Sequence, residues 1–263
     1  MDFTEQQLKR YARHIVLPEV GGIGQAKILS ARVLVVGAGG LGAPLLLYLA
    51  AAGVGRLGVV DDDVVDLTNL QRQVIHSTDR IGMEKVESAK RTVAGVNPEI
   101  TLIAHNERLG PENVRRLIAD YDIVADGSDN FATRYLLNDV CHFARKALVS
   151  ASILRFEGQI STFKSGLGPF PCYRCLYPSE PPLGRVPTCA QGGVLGALAG
   201  AVGSLQATEV LKEIMGIGES LAGSLIIYDA LSATFRKIKL ARNPACALCG
   251  DAPSNHDPAA HRA

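Results

Sequence analysis

The 263-residue chain carries almost no net charge: 27 Lys and Arg against 26 Asp and Glu leave +1 at pH 7. Without a basic or acidic excess there is no electrostatic ground for a nucleic-acid partner or an anionic membrane surface, so recognition has to come from local sites. Runs of membrane length are missing too. The longest apolar stretches, Leu41 to Val54 and Val194 to Leu205, are too short or too glycine-rich to span a bilayer, and they sit inside an alternating strand and helix pattern. The opening Met1-Asp2-Phe3-Thr4-Glu5 has no basic segment followed by an apolar one; no secretory signal is expected, and the location read is cytoplasmic. Six cysteines, two CxxC pairs plus Cys141 and Cys189, point in a cytosolic chain to metal binding before disulfides. With 47% hydrophobic and 20% charged residues, the composition is that of a globular domain.

What is present centres on Arg32-Val33-Leu34-Val35-Val36-Gly37-Ala38-Gly39-Gly40-Leu41-Gly42. A continuously apolar strand, covered on both faces, runs into a glycine-rich turn whose backbone can approach an anion closely. Ala43 to Ala52 read as a helix with its positive dipole end toward that anion. Gly37, Gly39 and Gly42 fit GxGxxG, and Asp61 ends the next strand, Leu57 to Val60, about 20 residues on, where an acid usually holds a ribose hydroxyl. A nucleotide site is the reading; a mere packing turn is the alternative. The following loop, Asp61 to Gln73, holds Asp61, Asp62, Asp63 and Asp66 ahead of Thr68-Asn69-Leu70-Gln71-Arg72. Its carboxylates suit a ribose or magnesium, and Asn69, Gln71 and Arg72 suit phosphate oxygens, Arg72 by a bidentate fork. A charged surface loop is the plainer option. Lys85, in the first turn of a helix from Gly82 to Val96, opposes the dipole and calls for an anion, phosphate being the economical one; a surface lysine is the alternative.

Thr4 to Ile15 read as one short helix capped by Thr4 and ending in basic residues, including Arg10 and Arg13, then broken by Pro18 and Gly21, Gly22 and Gly24. This arm lies outside the nucleotide fold and either packs on its own body or reaches a neighbouring subunit. Strands at Ile100 to Ala104, Tyr121 to Asp126, Ala147 to Ser152 and Glu157 to Phe163 alternate with helices at Pro111 to Ala119 and Phe131 to Ala144. Asp126 and Asp129 leave a strand at its carboxyl end and are candidates for Mg²⁺; Asp129 serves equally as a helix N-cap. Cys172-Tyr173-Arg174-Cys175 and Cys246-Ala247-Leu248-Cys249, with 70 residues between them, suggest a closed Cys₄ zinc staple joining distant segments, redox-active pairs being the alternative. Leu176 to Pro187 is proline-rich and reads as extended. Cys189 precedes a helix from Val194 to about Met215, a position that favours a nucleophilic thiolate, although buried inert cysteines are common. Cys141 reads as core. Leu225 to Tyr228 and Thr234 to Leu240 are closing strands, and Asn255 to Ala263 a frayed tail.

Together Arg10-Tyr11-Ala12-Arg13, the Gly37 to Gly42 turn, Asn69 to Gln73, Lys85, Gly127-Ser128-Asp129-Asn130 and both CxxC pairs resemble, in order, the adenylating enzymes related to ubiquitin activation. The bacterial molybdopterin-synthase and thiamine sulfur-carrier adenylyltransferases are the nearest look-alikes, and the similarity runs from about Tyr11 to Gly250. It implies an α/β, Rossmann-like, mostly parallel sheet with flanking helices, antiparallel C-terminal strands and the Cys₄ staple of Cys172, Cys175, Cys246 and Cys249. A single adenylation domain is expected over 1–263: arm 1–30, nucleotide-binding half 31–165, crossover, helix and zinc-stapled half 166–250, and flexible tail 251–263. The resemblance further implies a homodimer that uses ATP and Mg²⁺ to adenylate the Gly-Gly tail of a small ubiquitin-like sulfur carrier. Gly37, Gly39, Gly40 and Gly42 would line the nucleotide along with Thr68, Leu70 and Gln71, and Asp61 would take the ribose. Asn69, Arg72 and Lys85 would hold phosphates, Asp129 with Asn130 would place magnesium, and Arg13 would come from the partner protomer. Relatives use a cysteine at the position of Cys189 covalently in some branches only. The chain has no room for a sulfur-transferring rhodanese domain, so sulfur is expected from a separate donor, such as a cysteine desulfurase or rhodanese. An NAD-dependent oxidoreductase and a non-catalytic zinc-stapled partner subunit are the competing classes.

Overall fold

The structure is a computed structural model that describes residues 3–182 and 192–257. Strands β1 (Arg32–Val36), β2 (Arg56–Val60), β3 (Thr101–His105), β4 (Ile123–Asp126), β5 (Ala147–Leu154), β6 (Glu157–Phe163), β7 (Ser224–Asp229) and β8 (Thr234–Lys239) form one sheet in the order β3-β2-β1-β4-β5-β6-β7-β8. Pairing is parallel from β3 through β5 and antiparallel from β5 through β8. Sequence alternation explains why the parallel part is buried twice over. Val33 and Val35 face one apolar cluster with Leu57, Val59 and Val149, whereas Leu34 and Val36 face a second with Val124 and Leu148. From β1 the chain winds to one side of the sheet, and from β4 to the other. The crevice where the winding reverses, outside the carboxyl ends of β1 and β4, is where open α/β sheets bind ligands.

The glycine turn is dictated by close backbone contact. A Cβ on Gly42 would stand 1.8 Å from the Gly37 carbonyl oxygen, and Gly37 itself sits at φ +93, so neither position accepts a side chain. Helix α4 (Gly42–Ala52) starts from this turn.

The N-terminal arm differs from the single helix read in the sequence. It breaks at Tyr11 into α1 (Glu5–Arg10), with a Thr4/Gln7 capping box, and α2 (Ala12–Ile15). Tyr11 is only 2% exposed. Its hydroxyl accepts from Asn97 Nδ2 at 2.9 Å, and its ring fills the space that a side chain at Gly53 would need. The arm therefore docks on its own body. A third helix, α3 (Gly21–Ser30), replaces the expected glycine break. Packing outweighs glycine's poor helix propensity there: Gln25 Nε2 donates to Ala52 O at 2.9 Å, and the bare Cα of Gly24 lets Met215 close in.

Four further helices, α5 (Lys85–Val96), α6 (Val114–Ala119), α7 (Phe131–Phe143) and the short α8 (Tyr173–Leu176), precede the long α9 (Gly196–Met215). Gln206 of α9 donates to Asp126 O at 2.8 Å and Val149 O at 3.0 Å, tying it to the ends of β4 and β5. Leu176, read as extended, is the last residue of α8. Cys189 and residues 183–187 of the proline-rich crossing segment lie outside the described residues. Near the C-terminus, Asn255 Nδ2 donates to Asp139 at 2.7 Å and Asp257 pairs with Arg115 at 2.5 Å, so the chain is tied down as far as Asp257.

Candidate active site

At the carboxyl ends of β1 and β4 lies a polar cavity of about 290 Å³, lined by the glycine turn, Asp61 to Asp63, Arg72, Gln73, Lys85, Arg108 and the Ser128 to Asn130 corner. The Ala38 backbone at its base is held at both of its peptide units. Its N–H donates to Asp61 Oδ2 at 2.7 Å, and its carbonyl lies 2.9 Å from His76 Nε2, whose other ring nitrogen meets Ser88 Oγ at 2.9 Å. Asp61 Oδ1 takes the Asp63 N–H at 3.0 Å. Burial pushes the Asp61 carboxyl up, opposed chiefly by the Lys85 charge.

Lys85 is the first residue of α5 and only 6% exposed, which rules out the surface-lysine reading. Its anionic partner in this structure is Asp63, at 2.7 Å. Arg72 Nη1 donates to Thr68 O at 3.1 Å, and the Arg72 stem passes beside Gly40. Asp129 lines the cavity with no hydrogen-bond or ion-pair partner among the described residues, and the helix N-cap is Asn130, whose side chain accepts from Thr133 N at 2.9 Å. The capping alternative for Asp129 is thereby removed. Asp126 is corrected in the opposite sense. Its buried carboxylate is consumed by the Ser128 N–H at 3.0 Å, the Ser128 hydroxyl at 2.6 Å and the Ser150 hydroxyl at 2.8 Å, so it is not a cation ligand.

Not every expected residue gathers here. Thr68, Asn69, Leu70 and Gln71 do not line the cavity. Thr68 turns back on Asp66, through its N–H at 2.8 Å and its hydroxyl at 2.5 Å, and Gln71 backs onto Gly196. Gly42 packs behind the turn. Arg13 is exposed on α2, away from the cavity of its own chain. Conversely, Gln73, Arg108 and Arg134 line it unannounced. Gln73, 4% exposed with an unpartnered carbonyl, directly follows Arg72, and Arg134 sits one helical turn beyond Asn130. Those positions were the available signals.

A second cavity, of about 300 Å³, is mostly apolar, with Phe131, Ile153, Phe163 and Tyr177 among its walls. Asp129, Arg134 and Ile153 line both cavities, so the two meet.

Away from this crevice the two CxxC pairs converge. Cys172 and Cys246 sulfurs lie 3.5 Å apart, Cys175 and Cys249 3.4 Å, and Cys172 and Cys175 3.9 Å. A tetrahedral ion with sulfur bonds of about 2.3 Å sets its ligand sulfurs roughly 3.8 Å apart, so the four thiols fit such an ion. A thiol hydrogen bond from Cys172, with others from Cys175 and Cys246, holds Cys249 toward its thiolate.

Residues 11–248 match the ThiF family. The chain is 52% identical to the SAMP-activating enzyme E1 of Haloferax volcanii, over 93% of this chain and 90% of that protein. It is 48% identical to the sulfur carrier protein adenylyltransferase of Thermus thermophilus, over 98% and 96% respectively. With the longer probable adenylyltransferase/sulfurtransferase MoeZ of Mycobacterium tuberculosis it shares 51% identity over 92% of this chain and 62% of that one. In fold it resembles the crystal structure of E. coli MccB with MccA-N7isoASN, at TM-score 0.82 and 23% identity, covering 92% of this chain and 74% of that one.

The histidine clamp on the turn has a pH signature. Burial, reinforced by the Lys85 and Arg80 charges and opposed by the Ala38 carbonyl, holds the His76 imidazole below its ordinary value. The unfolded imidazole takes up a proton near pH 6.5 while the folded one stays neutral, so this contribution is fully present above about pH 6.5 and lost as pH falls toward the lowered folded value. His76→Gln should therefore show a smaller fall in Tm than wild type between about pH 7.5 and about pH 5.5. Equal falls in the two proteins would place the acid sensitivity elsewhere.

Proposed function

The chain belongs to the ThiF family, and from that premise we propose that it adenylates the C-terminal glycine carboxylate of a small ubiquitin-like sulfur-carrier protein, consuming ATP and releasing pyrophosphate. The observation that carries this reading is the meeting of two unlike cavities. One is polar, with Arg72, Lys85, Arg108 and Arg134 set among five carboxylates, suited to a triphosphate with its magnesium; the other is mostly apolar, suited to a peptide tail. Their junction is where a carboxylate from one side reaches a phosphorus from the other.

In the reaction a carboxylate oxygen attacks the α-phosphorus, the bond from that phosphorus to the bridging oxygen breaks, and its electron pair leaves on pyrophosphate. An ionised carboxylate needs no general base. The difficulty is bringing two anions together, and fixed positive charge is what lowers it. Lys85 exchanges Asp63 for phosphate oxygens, and Arg72 brings its fork alongside Gly40. The turn N–H groups face the phosphates. Asp61 keeps lone pairs free for a ribose hydroxyl beside its two backbone bonds. Asp129, with an uncommitted carboxylate in the cavity, would hold Mg²⁺, which supplies charge neutralisation along the triphosphate. Zn²⁺ at Cys172, Cys175, Cys246 and Cys249 would supply a structural cross-link with no open coordination position.

Arg13 completes the site from a second copy of the chain in this reading. Its exposure, on an arm that also exposes Val16, Leu17 and Ile23, supports a homodimer interface there. Asn69 and its neighbours Thr68, Leu70 and Gln71 would close on the nucleotide from the loop that Arg72 already anchors. The separate donor that supplies sulfur to the adenylated carrier belongs to the following step, which is also where a covalent use of Cys189, as in some relatives and not in others, would fall. In this reading four of the five described cysteines are zinc thiolates, a use of cysteine typical of reducing compartments, which goes with a cytoplasmic location.

Three measurements test this. ATP with Mg²⁺ and Gly-Gly-ending carriers should give ATP–pyrophosphate exchange, and Asp129→Ala should lower it by about 100-fold or more with Tm and cysteine-bound metal unchanged. Absence of exchange with every carrier tested would end the adenylation reading. Mixing Arg13→Ala with Lys85→Ala protein should restore about a quarter of wild-type activity, since only mixed dimers hold one intact site; no recovery would mean that Arg13 does not act across the interface. Purified protein should contain one zinc per chain, and a chelator should lower Tm. Metal-free protein of unchanged Tm would refute the staple.

A further inference from the structure

The apolar cavity has to admit a chain that ends in an anion, yet the charged residues lining it are Asp129, Glu157 and Arg134. Two of the three repel a carboxylate. Arg134 is the one cation, among the described residues, that lines both cavities; Arg72, Lys85 and Arg108 line the polar cavity only. Its guanidinium is held in place. Nη2 donates to Ser128 O at 3.0 Å, and Cζ lies 5.4 Å from the centroid of the Phe131 ring, within cation–π range. Nε is buried and has no partner among the described residues, so the guanidinium is only partly satisfied by the protein. A planar fork fixed on one side and unsatisfied on another matches a carboxylate, which takes two parallel N–H bonds.

We propose that Arg134 receives the carrier's terminal carboxylate where the cavities join and turns one of its oxygens toward the α-phosphorus. This deepens the adenylation reading and rests on it. One carboxylate oxygen stays on the guanidinium, and the other forms the new bond to phosphorus as pyrophosphate departs with the electron pair of the broken bond. No proton moves. The division of labour among cations follows from the cavities they line: Arg72 and Lys85, on the polar cavity only, meet charge that leaves, and Arg134, on both, meets charge that arrives.

The test uses the carrier that supports exchange with wild-type enzyme, in two forms, with its free C-terminal carboxylate and as the C-terminal amide. Arg134→Gln should weaken binding of the free acid by about 10- to 100-fold, the range for a charge-assisted pair. Binding of the amide and KM for ATP should change less than about twofold. Arg134→Lys, which keeps the charge and loses the fork, should fall between wild type and Arg134→Gln. Equal weakening of acid and amide forms, or a change in KM for ATP alone, would overturn the assignment and make Arg134 a packing or nucleotide residue. Should Arg134→Gln fail to fold, the lysine variant decides: a reduced preference for acid over amide supports the proposal, and an unchanged preference refutes it. Wild-type enzyme silent with every carrier would sink adenylation itself, and active wild type with unweakened Arg134→Gln would sink only this inference.

Discussion

The contact on which the rest of this molecule depends is the backbone closure of the glycine turn, where the Gly37 carbonyl and the start of α4 at Gly42 come too close for any Cβ between them. That closure aims the helix N-terminus into the crevice and leaves the two peptide units flanking the Ala38 Cα to be held by Asp61 and His76. With the peptide unit before Ala38 held through its N–H by an acid and the one after it held through its carbonyl by an imidazole, the turn is fixed before a ligand arrives. Donors already aimed at developing charge cost nothing to reorganise during reaction, which is the main electrostatic advantage an enzyme site has over water.

Charge around that turn is arranged in opposed pairs. Lys85, buried at a helix N-terminus where a cation is disfavoured, stands against Asp63, and its field draws down an Asp61 carboxyl that burial has raised. Such an arrangement is stable without ligand and still exchangeable, because Asp63 is exposed and can release the lysine to a more highly charged anion. Asp129 completes the pattern from the other strand end as a carboxylate without a partner among the described residues. The oxidoreductase alternative uses the glycines and Asp61 but leaves this gathering of cations without a purpose.

None of the four clustered cysteines lines either cavity, but Tyr173, between the first pair, lines the apolar one, and helix α7 joins the two regions. At its start stand the Asn130 cap and Arg134; farther along, Asn138 accepts the Tyr173 N–H at 2.8 Å and Asp139 pairs with Arg174 at 2.8 Å. Both bonds grip the turn between Cys172 and Cys175. The same helix thus borders the junction of the two cavities and braces the first metal-binding pair, which gives a structural cross-link a path to the geometry of the site.

Strand β1, the glycine turn, Asp61, Lys85 and the two cysteine pairs were legible in the sequence because each depends on local pattern: apolar runs, glycine spacing and the reach of paired thiolates. Helix α3 was not, since its glycines are poor helix formers alone and become helical only against Met215 and Ala52. Nor could sequence separate Asp126 from Asp129, or assign the cap to Asn130, because which carboxylate is consumed depends on Ser150, one strand away. Arg134 marks the limit most clearly. As a residue in a helix it is unremarked, and it acquires meaning only when the sheet sets a polar and an apolar cavity side by side with that one guanidinium between them. Residue spacing along a chain reports chemistry that neighbours in sequence can complete; chemistry completed by groups brought together from separate strands is decided by the fold.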